Sequence, residues 1–220
     1  MILWLLLFLL IIAISFFLAL GSMRDYPQNP DQSIDYSLFL IRQTNHFNQQ
    51  NLELICQDAS REKAIISLER LFKGGESASV VFGPKKILAD YEEKLGLLEL
   101  EDYVESLDQE KILASEVDMK NPTKINLPKL ERNEQVWCQV VIGPEFKTQI
   151  RICVYASDPI RRKQIFQALL DLSSGQIIKL PVPYSSNQLL IFYQLRSLGM
   201  TKNRQKPKLN EAAILELIKV

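Results

Sequence analysis

Nucleophilic, acid–base and metal chemistry needs histidine, cysteine or carboxylates at defined spacings, and this chain is poor in the first two. His46 is its one histidine and lies in a polar turn over 46–51. A Ser-His-Asp or Cys-His arrangement would have to use it, and nothing around it suggests activation. Cys56, Cys138 and Cys153 form no CxxC pair and have no histidine close in sequence. Cys138 and Cys153 sit in apolar, strand-like runs and read as buried thiols. Such a set supplies too few ligands for the usual His and Cys metal sites. Glu99, Glu101 and Asp102 could make a carboxylate site, but alternation puts Glu99 and Glu101 on one strand face, more simply the solvent face. There is no GxxxxGK[ST] loop, and Gly74-Gly75 lacks the lysine and reads as a turn. The expectation is a non-enzymatic protein with no cofactor and no metal.

Charge gives the partner candidates. The chain carries 26 bases and 26 acids, so net charge names no partner. From Asp90 to Asp118 there are eleven acids against two bases, and from Lys120 onwards sixteen bases against seven acids. This reads as two solvated faces of opposite sign, as head-to-tail pairing between copies, or as a basic face turned towards anionic lipid or nucleic acid. Arg161, Arg162 and Lys163 open an expected helix, where the macrodipole disfavours positive charge. That placement marks either a solvated helix start or a partner surface. Lys202, Arg204, Lys206 and Lys208 form a basic loop that could meet anionic lipid or a protein. Without interleaved aromatics it is a weak nucleic-acid signal.

These residues need elements to position them. Ile2 to Leu20 is nineteen residues without a charge, with Ser15 its one polar member. As a helix it would span roughly 30 Å, the thickness of a bilayer core, and it lacks the basic start of a signal peptide. The expectation is a single-pass transmembrane anchor over 1–22 in the inner (cytoplasmic) membrane, then a polar stalk over 23–34. Arg24 on its C-terminal flank favours a cytoplasmic body.

Beyond the stalk, strands are expected over 35–43 and 52–56. The stretch 61–72 reads either as helix or as the first arm of a hairpin turning at Gly74-Gly75, with 77–82 as a strand. A helix over 86–95 ends at Gly96, followed by a strand over 97–103. Further strands are expected at 137–142 and 149–155, a helix from Asp158 or Pro159 to Leu172, and a strand at 189–195. Val80-Val81-Phe82-Gly83-Pro84 recurs sixty residues later as Val140-Val141-Ile142-Gly143-Pro144. This is either a duplicated module or two unrelated strands that each end in a Gly-Pro turn. The expected fold class is α+β: the transmembrane helix, then two small α/β sandwich units of ferredoxin-like type, over 35–118 and 119–220.

Three stretches carry a family resemblance: Leu100-Glu101-Asp102-Tyr103-Val104-Glu105-Ser106-Leu107, the run LPKLERNEQVWCQVVIGP from Leu127 to Pro144, and LNEAAILEL from Leu209 to Leu217. Together they resemble a family of bacterial proteins of unknown function from small-genome lineages. Its members carry an N-terminal membrane helix and an α/β region of this layout. In many of them a type IV secretion or conjugation-like ATPase follows. The run ending at Gly143-Pro144 is the most specific of the three. The resemblance implies a membrane-proximal docking domain, with the motor on a separate chain, and it supplies no catalytic residues here. The expected partners are the membrane and a protein, either such an ATPase or a second copy in a self-assembling envelope structure.

Overall fold

The computed structural model describes residues 4, 8, 10–16, 28–106, 108–119, 125–199 and 214–216. Ile66–Lys73 (β2) alternates Ile66, Leu68 and Phe72 on one face with Ser67, Glu69 and Leu71 on the other. It turns through Gly74 and Gly75, both at positive φ (+54° and +99°), as a two-residue hairpin loop demands. Glu76–Pro84 (β3) returns along it, so 61–72 resolves into the end of a helix and a strand. Tyr36–Ile41 (β1) pairs antiparallel with β3 on one side and with Leu97–Leu100 (β4) on the other. Ile112–Met119 (β5), Gln135–Ile142 (β6), Thr148–Tyr155 (β7) and Ile177–Lys179 (β8) form the rest.

The eight strands make one sheet in the order β4-β1-β3-β2-β6-β7-β5-β8. Its centre is the β2–β6 pair, in register from Ile66↔Ile142 to Lys73↔Gln135. This corrects the expectation of two separate sandwich units. The strands expected to belong to different units are hydrogen-bonded neighbours, and one apolar cluster runs beneath both halves, from Phe39, Ile55 and Leu68 to Val140, Ile152 and Leu169. The Val-Val-x-Gly-Pro recurrence falls at the middle of the sheet. Its two copies lie in β3 and β6, which flank β2 on either side, so that Leu68 sits between Val81 and Val140.

Helices cover the apolar face. Gln49–Arg61 (α1) starts at Asn48, whose side chain accepts from the Asn51 amide, and buries Leu52, Ile55, Cys56 and Ala59. The expected strand at 52–56 is part of this helix, because those four residues repeat at helical spacing. Lys85–Ala89 (α2) and Glu92–Leu95 (α3) replace the single helix expected over 86–95, and Gly96 at φ +59° ends α3. Pro159–Leu172 (α4) is capped by Asp158. The opposite face carries Ser186–Gln194 (α5), a helix where a strand was expected over 189–195. Its start is a full capping box between Ser185 and Gln188, and it buries Leu189, Leu190 and Tyr193.

At the N-terminus, Leu10 to Phe16 is helical and its side chains are exposed. Among the described residues no helix is long and apolar enough to cross a membrane, which overturns the transmembrane helix as an element of this fold. The rest of the 2–20 run lies outside the described residues. In the expected stalk, Gln28 forms a two-bond bridge to Leu198, with N–O distances of 2.7 and 2.9 Å.

Because one core underlies both halves, chemical unfolding should follow a single transition by far-UV circular dichroism and by Trp137 fluorescence. Leu68→Ala at the centre should lower stability by about 2–5 kcal/mol. Two separated transitions would contradict the shared core.

Candidate functional site

The face beneath α5 is built as rungs across the strands. One rung is apolar: Leu71, Trp137, Cys153 and Ala114 lie side by side. The next is ionic: Glu69 stands beside Gln139, Gln139 beside Arg151, and Arg151 beside Glu116. An acid, an amide, a base and an acid thus occupy four adjacent strands on the same face. Glu69, Gln139 and Arg151 are fully buried and Glu116 is nearly so. Ions placed there need partners, since desolvation alone costs several kcal/mol per ion.

Glu69 receives four donors. Ser67 Oγ at 2.9 Å, Gln139 Nε2 at 3.0 Å and Arg196 Nε at 2.9 Å donate to its Oε1. The Tyr103 hydroxyl donates to its Oε2 at 2.7 Å. Tyr103 and Tyr193 are themselves joined hydroxyl to hydroxyl. Burial, reinforced by the Glu69 charge, pushes both phenols well above their ordinary range, so both stay protonated.

Arg196 completes the arrangement. It forks onto Asp102 with Nη1–Oδ2 at 2.5 Å and Nη2–Oδ1 at 2.9 Å, and its guanidinium lies over the Phe82 ring at 4.1 Å. Burial pulls its proton affinity down, but Glu69 and Asp102 more than offset this and hold it above the ordinary value. Arg196 also has φ +49°. It occupies the position after the α5 C-cap, where the Ser197 amide returns to Phe192 O and the Arg196 amide to Tyr193 O, both at 3.1 Å. Glycine is the usual residue for that geometry. Here about 1 kcal/mol of backbone strain is accepted for a side chain that neutralises two acids.

Arg151 and Gln139, on the same face, also bond the main chain of α5 and the segment after it. Arg151 Nη1 donates to Phe192 O at 3.2 Å and Nη2 to Ser197 O at 2.6 Å. Gln139 Nε2 donates to Tyr193 O at 2.9 Å. Phe192 and Tyr193 supply end-of-helix carbonyls, which a cation suits. Burial pushes the Arg151 guanidinium down to about 10, with Glu116 pulling the other way. The nearby thiols are inert: burial raises Cys138 to about 12 and Cys153 well above its ordinary value.

The basic residues picked from sequence are divided by the fold. Arg161 holds Glu134, with Nε–Oε1 at 2.7 Å and Nη2–Oε2 at 3.0 Å. Arg162 donates to Ala156 O and, with the exposed Lys163, lines an open cleft of about 600 Å³ beside Glu110, Ser186 and Asn187. Lys202, Arg204, Lys206 and Lys208 lie outside the described residues. His46 contributes its carbonyl to Asn51, at the start of α1. Among the described residues, no group of three or more His, Cys, Asp or Glu side chains is placed to hold a metal ion. The sequence reading passed over Glu69, Gln139 and Arg151. Their signal was a polar or charged residue set inside an otherwise apolar strand-like run, in ISLERL, VWCQVV and QIRICV.

The fold and the site define a single-sheet antiparallel α+β protein whose polar face is closed by its own helix. No family model matches the chain, and no curated protein or solved structure is similar to it. The family suggested by the three stretches therefore rests on those stretches alone.

Glu69→Ala should destabilise the protein by about 3–5 kcal/mol, because it leaves Arg196 buried with half its partners. Arg196→Gly should also destabilise, since the strain relieved is smaller than the loss of a partner for Glu69. Urea titrations measure both, and a neutral Arg196→Gly would refute the role given to the side chain.

The Arg161 hydrogen bonds hold the Glu134 carboxyl below its ordinary value. The unfolded chain then takes up that proton first as pH falls. The pair's contribution is thus present above about 4.5 and lost as pH drops through the lower folded value. Arg161→Ala should cost about 1 kcal/mol at neutral pH and less in acid, read from unfolding midpoints across pH.

Proposed function

We propose that the protein is a non-enzymatic docking scaffold at the inner membrane, its body in the cytoplasm, partnered by a secretion or DNA-transfer type ATPase. One observation carries the scaffold reading. The ionised side chains gathered on the polar face are occupied in holding α5 and the segment after it, which leaves outer surfaces rather than an interior site to do the work. The exposed apolar side chains of Trp4, Phe8 and 10–14 favour an apolar phase over water, which supports placement at a lipid surface. The choice of ATPase follows from the sequence resemblance.

A second reading, a self-assembling envelope protein, is favoured by the outermost strand β4. Leu98 and Leu100 are 40% and 38% exposed there, on an edge that could accept another strand. Affinity purification of the full chain from solubilised membranes, followed by mass spectrometry, separates the two. Co-purification of a hexameric-type ATPase is expected, and repeated recovery without one overturns the first reading. Recovery of higher oligomers of the chain alone, abolished by Leu98→Lys, would favour the second.

A further inference from the structure

The two sides of the sheet show different surfaces to solvent. On one side, α1 carries Glu53, Asp58 and Arg61, and α4 carries Arg161, Arg162, Lys163 and Asp171. On the other, the run from Leu180 to Leu195, which contains α5, has no charged side chain. Leu189, Leu190 and Tyr193 fill the inner face of α5, yet Ile191 and Leu195, one turn apart, are 45% and 49% exposed. A helix whose outer side meets water alone normally carries charge there. Tyr184 and Phe192, edge to face at 4.9 Å, are half-buried.

Strand β4 adds to the same side. Leu100 pairs with Leu38, and Leu38 with Phe82, whose ring lies under Arg196. Directly opposed residues share a face, so Leu100 and, two residues away, Leu98 point to the α5 side. Glu99 between them points to the other side, where Lys85 holds it at 2.8 Å.

The chain leading from the N-terminal apolar run also enters the body here. Gln149, on the same face as Arg151, clamps Gly199: its Nε2 donates to Gly199 O at 2.6 Å, and the Gly199 amide donates to its Oε1 at 2.8 Å. Arg151 holds Ser197 O at 2.6 Å. Leu198, between these two grips, carries the two-bond bridge to Gln28. Seven residues, 21–27, separate Gln28 from Leu20, and a stretch of that length spans about 25 Å when extended.

We propose that the α5 side is the face this protein lays on a lipid bilayer, with Ile191, Leu195, Leu98 and Leu100 entering the boundary between headgroups and acyl chains. The inference rests on the placement at a lipid surface proposed above and adds the face that meets it. The tether identifies the occupant. The exposed apolar side chains of Trp4, Phe8 and 10–14 seek an apolar phase, and Gln28 fixes their connection to this face rather than to the helices opposite. A charge-free helix enters that boundary without the cost of desolvating an ion.

The test uses the full chain with vesicles of phosphatidylethanolamine and phosphatidylglycerol. Cys56, Cys138 and Cys153 are buried, so bimane reports from one new surface cysteine at a time. Ile191→Cys and Leu98→Cys probe the α5 side, and Leu54→Cys and Leu172→Cys probe the helices opposite. Nitroxide carried on the lipid should quench the first pair about twofold or more and leave the second pair unchanged. Where Leu98→Cys fails to fold, Leu195→Cys takes its place. A chain that floats with the vesicles while all four labels respond alike, or while the second pair is the one quenched, overturns the face and leaves the placement standing. Failure to float overturns both. Labels at 191 and 98 that are shielded from iodide yet untouched by lipid nitroxide assign the face to a protein, a second copy included, and overturn the proposal.

Discussion

The Glu69 carboxylate is the constraint on which the covered face depends. It is fully buried, and its four donors come from different parts of the chain: its own strand, β6, the turn at Tyr103 and the second residue after α5. A charge in such a place is stable only while all of these segments are present together. The apolar side of the sheet can tolerate rearranged packing. The ionic side ties remote pieces to one geometry, because guanidinium and carboxylate groups bond in few directions.

The two faces therefore do different work. The apolar face joins the halves through β2 and β6 and fills one core under α1 and α4. The polar face recruits one short helix and the segment following it, and it holds them by end-of-helix carbonyls, a forked arginine and an amide clamp. Trp137 lies on the covered face beside the ionic rung, with its ring near those of Tyr103, Tyr155 and Tyr193.

Sequence carried the local parts of this fold well. Gly74-Gly75 announced a hairpin, Gly96 a helix end, and Asp158-Pro159 a helix start, since each signal is written in adjacent residues. Two helices were misread as strands. LELIC in α1 and LLIFYQL around α5 are short apolar runs whose period shows only when neighbouring turns are included. β5 was not anticipated, and its Glu116 is 4% exposed beside Arg151. The ionic rung was beyond reach for a different reason. Glu69 and Arg196 are 127 residues apart, and only strand register brings them together. The single continuous sheet was out of reach on the same point, because nothing local says that β2 will pair with β6.

The positive φ of Arg196 bears on how such a sequence can drift. A glycine there would be easier on the backbone but would strand Glu69, and an apolar residue at Glu69 would strand Arg196. Neither position can change first without passing through a poorly folded intermediate, whereas replacing the acid and the base together with well-packed apolar residues could be nearly neutral. The buried ions thus behave as one heritable unit, exchangeable as a block and frozen piecemeal.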